Sequence, residues 1–258
     1  MILPLFLLLA GSRALLPAGA PLRRLGHRHA SPPIIDAEIV GVRGGAEARP
    51  ASDTAASQRE DAALAALFEA VSGTDRGFST DAEAKRNVVA AIALLLGAAQ
   101  PREQIQLGGN WTLAWTDAPD ITGLQGGPLA TVGRIGQEID AKNIVNVIEW
   151  RPSRLATGLG ADAADAVEQR VLLAYERTGD AVELKLRGAG LRPRQVLSRR
   201  FGGKPLDVTG AIDLPFGRFD ILYNDGSVRI AKTGQGFYSI NVKRTIGNDA
   251  DDANGTCP

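Results

Sequence analysis

Apolar side chains in the first half of the chain recur at helical spacing. They fall on one face at i, i+3, i+4 and i+7, which predicts an amphipathic helix; the positions are Leu64, Leu67, Phe68 and Val71. Ser57 and Glu60 fit a capping box at the start of that helix. A second helix is predicted over residues 79–97, because its first three residues (Ser, Thr and Asp) can each cap it and Gly97 can end it.

From Leu107 onward the pattern changes to short apolar runs with a period of two. Residues 182–187, for example, alternate Val, Leu and Leu with Glu, Lys and Arg. Turn-forming residues separate such runs, with Thr-Gly-Asp at 178–180 and Asn-Asp-Gly at 224–226, as in β-hairpins. Many short strands with no helix between them predict an antiparallel barrel or sandwich.

Two of the three tryptophans, Trp111 and Trp115, lie in the first of these strands. An offset of four residues places both side chains on one face of a regular strand. We therefore expect both to point together into the core or the cavity of the β-structure.

Charge and reactive residues exclude several classes of function. The 29 basic and 29 acidic residues give no net charge, so no long-range field favours nucleic acid as a partner. Histidine occurs only at His27 and His29, and cysteine only at Cys257. If the N-terminal segment is removed, no histidine remains for nucleophilic catalysis or metal binding. We expect no cofactor and no metal.

The first 33 residues are predicted to be a targeting segment. Residues 2–10 are apolar, too few to span a bilayer but suited to the core of a signal peptide. The following stretch is basic and lacks acids until Asp36, as in organelle transit peptides. This order is expected for a plastid surrounded by additional membranes; the alternative is a secreted protein with a disordered basic arm. The remaining chain is divided into a linker, a folded domain and a disordered acidic tail: 34–59, 60–246 and 247–258.

Several linked motifs resemble one protein family. They read "DRGFSTDAEAKRNV", "LGGNWTLAWTD", "VGRIGQEID", "KNIVNVIEW" and "GRFDILYNDGSVRIAKTGQGFYSINVK". In order and spacing they are similar to the plastid lipid-associated proteins, also called fibrillins or plastoglobulins. The resemblance implies a mainly β fold, a lipocalin-like antiparallel β-barrel preceded by two N-terminal α-helices. It also implies contact with plastid lipids at thylakoids or plastoglobules.

Candidate ligand-binding residues lie in these motifs. The apolar candidates for lining the barrel are Trp111, Leu113, Trp115, Ile135, Val145, Val147 and Tyr223. The same side chains could instead simply fill the barrel. The polar candidates are Gln137, Asp225 and Arg229. Asp225 and Arg229 are four apart and are predicted to share a face and to pair, either as a brace or near a lipid headgroup.

Three kinds of function remain open. The first is non-catalytic binding or carriage of a plastid lipid or isoprenoid, such as a carotenoid, quinone or galactolipid. The second is a structural coat or scaffold on lipid droplets or thylakoid membranes without an internal ligand. The third, an enzyme using Asp117, Asp120 or Glu138 as acid or base, is disfavoured by the missing histidines. The basic run "RPRQVLSRR" could contact anionic lipid, although a solvated strand edge explains it equally well.

Overall fold

The computed structural model describes residues 51–102, 107–202 and 205–244. The predicted targeting segment, the linker up to residue 50 and the predicted tail lie outside these residues, as do both histidines and the cysteine. The helices are α1 (Ala51–Val71), α2 (Ala82–Ala98), α3 (Pro119–Thr122) and α4 (Arg154–Gly158). No helix in these ranges combines the length and the apolar character needed to cross a membrane.

In the part of the chain that the structure describes, nine antiparallel strands follow the two long helices. They are β1 (Gly109–Thr116), β2 (Ala130–Ile139), β3 (Asn143–Pro152), β4 (Ala166–Thr178), β5 (Ala181–Val196), β6 (Arg199–Arg200), β7 (Leu206–Asn224), β8 (Val228–Thr233) and β9 (Tyr238–Lys243). Each long strand pairs with its neighbour in the chain, and β1 pairs with β9. Since β4 also pairs with β5, eight strands close an up-and-down barrel, and β6 pairs with the end of β5. The lipocalin-like barrel preceded by two helices is confirmed, and a sandwich is excluded.

The start of α1 differs from the sequence prediction, whereas the start of α2 agrees with it. α1 starts at Ala51, six residues before the predicted cap at Ser57, so the prediction of its start was wrong. The preceding segment carries three alanines, the best helix former, and extends the helix into the predicted linker. α2 starts where expected: Asp81 is its N-cap, and its carboxylate accepts hydrogen bonds from the backbone N–H groups of Glu83 and Ala84.

Two tight turns confirm the predicted hairpin chemistry. Gly179 joins β4 to β5 with φ of +63°, and Gly226 joins β7 to β8 with φ of +89°. Glycine adopts this left-handed region without the steric penalty that a Cβ atom would impose. The local turn residues therefore set which strands become neighbours in the barrel.

Buried apolar side chains form two separate clusters. One contains Leu107, Trp111, Ile139, Ile144, Leu173, Val182, Leu186, Phe219, Ile221 and Ala231. Its members come from seven of the eight barrel strands, so this cluster fills the barrel interior. The other contains Ala63, Leu67, Val88, Ile92, Leu95, Trp115, Tyr223, Val228, Ile230 and Ile240. It joins α1 and α2 to the outer face of β1 and β7–β9.

A β-bulge places Trp111 and Trp115 on opposite faces of β1. The register with β9 shifts by one residue between Leu113 and Trp115, and an extra residue in one strand reverses the faces beyond it. Trp111 lies in the barrel, where its indole N–H donates to the carbonyl of Leu107 at 2.8 Å. Trp115 packs beneath the helices and its indole N–H lies 3.3 Å from the Thr80 hydroxyl. The prediction that both tryptophans point together was wrong.

Candidate functional site

Arg229 is a buried cation inside the barrel. It lies on β8 with 1% of its surface exposed. Its guanidinium carbon is 4.7 Å from the centre of the Trp111 ring and 6.0 Å from that of Phe219, and one nitrogen donates to the Gln137 side chain. Two other guanidinium nitrogens, Nε and Nη1, have no hydrogen-bond partner among the described residues. Burial lowers the pKa of Arg229 to about 10.

Asp225 does not pair with Arg229, contrary to the sequence prediction. Its carboxylate accepts hydrogen bonds of 2.6 Å from the backbone N–H groups of Ser227 and Val228, and its other oxygen lies 3.1 Å from the Tyr223 hydroxyl. These contacts fix the β7–β8 turn, which separates the two residues. A spacing of four puts two side chains on one face only within one continuous strand, whereas Arg229 belongs to the next strand and points into the barrel.

Strand register decides which of the other candidates face the barrel interior. Gln137 on β2 lies opposite Trp111 on β1, so both face the interior. Ile135 and Leu113 are each two residues away on the same strands and face the interior as well. The remaining apolar candidates lie on the outer face and do not line the interior as predicted: Trp115, Val145, Val147 and Tyr223. Val145 and Val147 alternate with the inward-facing Ile144 and Ile148, a distinction that the nearly continuous apolar run of β3 conceals.

Tyr223 connects the outer face of the barrel to the first helix. A register shift between Ile221 and Tyr223 turns the tyrosine away from the interior. Its hydroxyl donates to the carboxylate of Glu60 on α1 at 2.9 Å, and Glu60 also pairs with Arg102 at 2.5 Å. Burial raises the pKa of Tyr223, so the neutral hydroxyl is the form that bridges α1 and β7.

A cluster of charged side chains crosses the outer face of β2, β4 and β5. We call it the arginine–glutamate cluster; its members are Arg134, Glu138, Glu168, Arg170 and Arg192. Glu168 is 1% exposed and lies 3.1 Å from Arg134 and 3.3 Å from Arg192. Glu138 lies 2.9 Å from Arg170 and 3.1 Å from Arg192. The alternating charges tie β2 to β4 and β5 across the outer face of β3, which lies between β2 and β4.

Two of the three carboxylates considered for acid–base chemistry, Glu138 and Asp117, have structural partners. Burial acts to raise the pKa of Glu138, but the hydrogen bond from Arg170 and the neighbouring positive charges outweigh it and lower that pKa. Asp117 accepts a hydrogen bond from the Tyr238 backbone at 2.7 Å and pairs with Lys85 at 3.0 Å. Asp120 lies exposed in the first turn of α3. These contacts favour bracing roles over proton transfer.

An apolar pocket opens at one mouth of the barrel. Its volume is about 220 Å³, and it lies among the start of β2, the end of β3, the start of β4, the end of β5 and α4. The larger apolar lining side chains are Leu129, Trp150, Val167 and Val196. Trp150 and Val167 pair across β3 and β4 on the inward face, so the pocket continues the barrel interior at its rim. Asp165 and Gln195 supply polar groups at its edge.

Sequence reasoning missed this pocket, although one signal was present. Trp150, the third tryptophan, stands at the end of the quoted motif "KNIVNVIEW". Its indole N–H donates to the Gln169 side chain at 3.1 Å, which fixes the ring at the mouth. The apolar face and polar edge of tryptophan suit such a position. The small residues of α4 that leave room beside it, such as Ala156, gave no sequence signal.

The eight strands form a closed meander, whose interior is filled by buried side chains and whose mouth carries an apolar pocket. These features define a lipocalin-like barrel protein. The PAP_fibrillin family model matches residues 61–241, and the chain belongs to the PAP_fibrillin family. Family and barrel together fit a lipid-associated plastid protein, and the family is generally non-catalytic. Comparison with curated proteins and with solved structures gave no match.

Proposed function

We propose that the protein binds a plastid lipid or isoprenoid, such as a carotenoid, a quinone or a galactolipid, without changing it chemically. Binding takes place at the surface of thylakoids or plastoglobules. The observation that carries this proposal is the apolar pocket at the barrel mouth, with Trp150 and Val167 on its wall and a few polar groups at its edge. Pockets for small molecules combine these two features.

The size of the pocket limits how much of a ligand it can hold. About 220 Å³ is below the roughly 300–1,000 Å³ of sites that enclose a whole drug-sized molecule. Below the pocket, the barrel is filled by buried side chains such as Trp111, Ile144 and Arg229. The pocket therefore accepts a ring or the end of a chain, while the rest of the ligand stays in the lipid phase. This favours the surface of a membrane or droplet as the place of action.

Delivery to the plastid is the second part of the proposal. The signal-like and transit-like stretches of residues 1–33 support import into a plastid through the endoplasmic reticulum. The match to a plastid-associated family supports the same destination. A protein at thylakoids or plastoglobules then meets its lipid partner directly at the membrane or droplet surface.

A coat or scaffold role is the second candidate, and one observation favours it. Large apolar side chains on β5 and β7 are exposed: Leu191, Leu206, Val208 and Leu214. Such a group on one part of a surface indicates contact with a partner or a lipid phase. A coat protein would use this surface without taking a lipid molecule into the pocket.

Native mass spectrometry after incubation with a total plastid lipid and pigment extract tests the proposal. We expect wild-type protein to keep one bound lipid or pigment. Ala156→Phe on α4 should lower the occupancy at least about tenfold, because the ring fills the pocket. Ala90→Phe, at an exposed position on α2, is the matched control and should retain the ligand.

Circular dichroism would first establish that both variants are folded. Retention of the same ligand by Ala156→Phe would show that binding does not use this pocket. An empty wild-type protein that still associates with droplets would favour the coat role.

A further inference from the structure

The hairpin formed by the end of β5 and β6 carries an unusual turn beside the pocket. Leu197 and Ser198 form its two-residue loop, and both have positive φ, at 50° and 63°. Loops of this kind normally use Asn-Gly or Asp-Gly, because a side chain branched or bulky near the backbone is strained there. A leucine at this position is a steric outlier, and such outliers concentrate at functional sites.

A buried carboxylate holds this strained turn in place. Asp165, which is buried, accepts hydrogen bonds from the backbone N–H groups of Leu197 at 2.9 Å and Ser198 at 3.0 Å. Gln195 donates to the same carboxylate at 3.4 Å and to Asp162 at 3.0 Å. The turn is therefore anchored to the segment that precedes β4. The structure stabilises an otherwise unfavourable conformation.

The turn presents an apolar side chain to solvent. Leu197 is 77% exposed, and Phe201, at the base of the hairpin, is 46% exposed. Leu206 and Val208, on the adjoining part of β7, are 71% and 76% exposed. Exposed apolar side chains therefore occur at the tip of the hairpin, at its base and on the adjoining part of β7. An exposed leucine in a strained turn does not stabilise the isolated chain, which indicates that its side chain contacts a partner or a lipid phase.

Arginines flank the exposed apolar side chains. Arg199 and Arg200 form β6 and are exposed, and they make no ion pair among the described residues. Arg194, opposite Phe201 in the hairpin, is 45% exposed and is 3.7 Å from Glu168. The carboxylate of Asp165 accepts hydrogen bonds from the backbone of the turn itself. The tip thus combines exposed apolar groups with positive charge.

We propose that the hairpin of residues 194–201 inserts into the interface of an anionic lipid bilayer. Leu197 and Phe201 enter the boundary between headgroups and acyl chains, and Arg194, Arg199 and Arg200 contact lipid phosphates. Each arginine near an anionic surface strengthens binding about fivefold. Gln195 and Val196 line the pocket as well as the hairpin, so docking brings the pocket mouth to the membrane. The inference goes beyond the pocket and depends on different side chains.

Vesicle flotation with the full chain tests whether the hairpin of residues 194–201 inserts into an anionic bilayer. The vesicles contain phosphatidylcholine alone or with about 30% phosphatidylglycerol, which supplies the negative surface potential. We expect wild-type protein to float only with the anionic vesicles. Arg199→Gln combined with Arg200→Gln should weaken that binding about tenfold or more.

Leu197→Asn separates insertion from folding. Asparagine favours the left-handed region, so the variant should melt no lower than wild type, yet it should bind anionic vesicles about fivefold to tenfold more weakly. The matched control is Leu94→Asn, at an exposed leucine on α2, which should bind like wild type. Ligand retention in native mass spectrometry should survive Leu197→Asn, which distinguishes the tip from the pocket.

Three outcomes would overturn the inference. Wild-type protein could fail to float with anionic vesicles, or the tip variants could float as well as wild type. In the third outcome, sedimentation would show a dimer that Leu197→Asn dissociates while vesicle binding is unchanged. The apolar tip would then be an interface with a second copy of the chain.

Discussion

Glu168→Gln is expected to lower the free energy of unfolding by about 3 kcal/mol, because it removes the central negative charge of the arginine–glutamate cluster. The carboxylate of Glu168 is 1% exposed and serves Arg134 and Arg192, whose side chains are themselves largely buried. Glutamine keeps the size of the side chain but leaves these cations without their counter-charge. Urea unfolding followed by tryptophan fluorescence would measure the loss as a shift in midpoint.

Glu176→Gln is the matched control for this prediction. Glu176 lies on the same strand, is 69% exposed in its side chain and pairs with Lys185 at 2.9 Å. An exposed pair of this kind contributes about 0–1 kcal/mol, so the control should unfold close to wild type. Equal effects of the two substitutions would show that burial does not set the strength of the cluster.

The arginine–glutamate cluster could not be predicted from sequence. Glu138 and Arg170 are 32 residues apart in the chain, and Glu138 and Arg192 are 54 apart. In the sequence, each of these residues is indistinguishable from an ordinary exposed charged residue of a strand. Only the closure of the barrel and the register of β2–β5 bring them together.

The fold itself was predictable because its determinants are local. Period-two alternation in β5 and the turn residues around Gly179 and Gly226 each act within a few residues. Such signals fix strands and hairpins, and consecutive hairpins then leave few arrangements for an antiparallel sheet. The linked motifs added the choice of a closed barrel, which alternation alone had left open beside a sandwich.

The faces of the strands were less predictable, because bulges are hard to recognise in a sequence. One extra residue in β1 separates Trp115 from Trp111, and a similar shift in β7 turns Tyr223 outward. The pairing of Asp225 with Arg229 failed for a related reason, since a turn replaced the continuous strand that the spacing assumed. Candidate residues near such irregularities were therefore assigned to the wrong side.

Arg229→Met is expected to raise the free energy of unfolding by about 1–2 kcal/mol, although it replaces a fully buried residue. Burying the charge costs about 3–4 kcal/mol, as the lowering of its pKa to about 10 indicates. The contacts with Trp111 and Phe219 offset about 0.5–2 kcal/mol of this cost, and the hydrogen bond to Gln137 offsets about 1 kcal/mol. Methionine fills a similar volume without a charge to desolvate.

Arg170→Met supplies the control with the opposite sign. Arg170 is also buried, but it pairs with Glu138 at 2.9 Å and lies 3.4 Å from Asp207. Its removal leaves acidic partners uncompensated and should cost about 3 kcal/mol. If both substitutions destabilised the protein equally, Arg229 would have to possess stabilising contacts comparable to those ion pairs.

The dependence on pH gives an independent check of the buried charge. The pKa of Arg229 is lower in the folded state than in the unfolded chain, so above about pH 10 the unfolded chain binds more protons and stability rises with pH. The Arg229→Met protein lacks this contribution. Its stability advantage over wild type should therefore be constant near neutrality and should shrink as the pH rises from about 10 towards 12. An advantage that stayed constant across this range would mean that packing, rather than the buried charge, accounts for it.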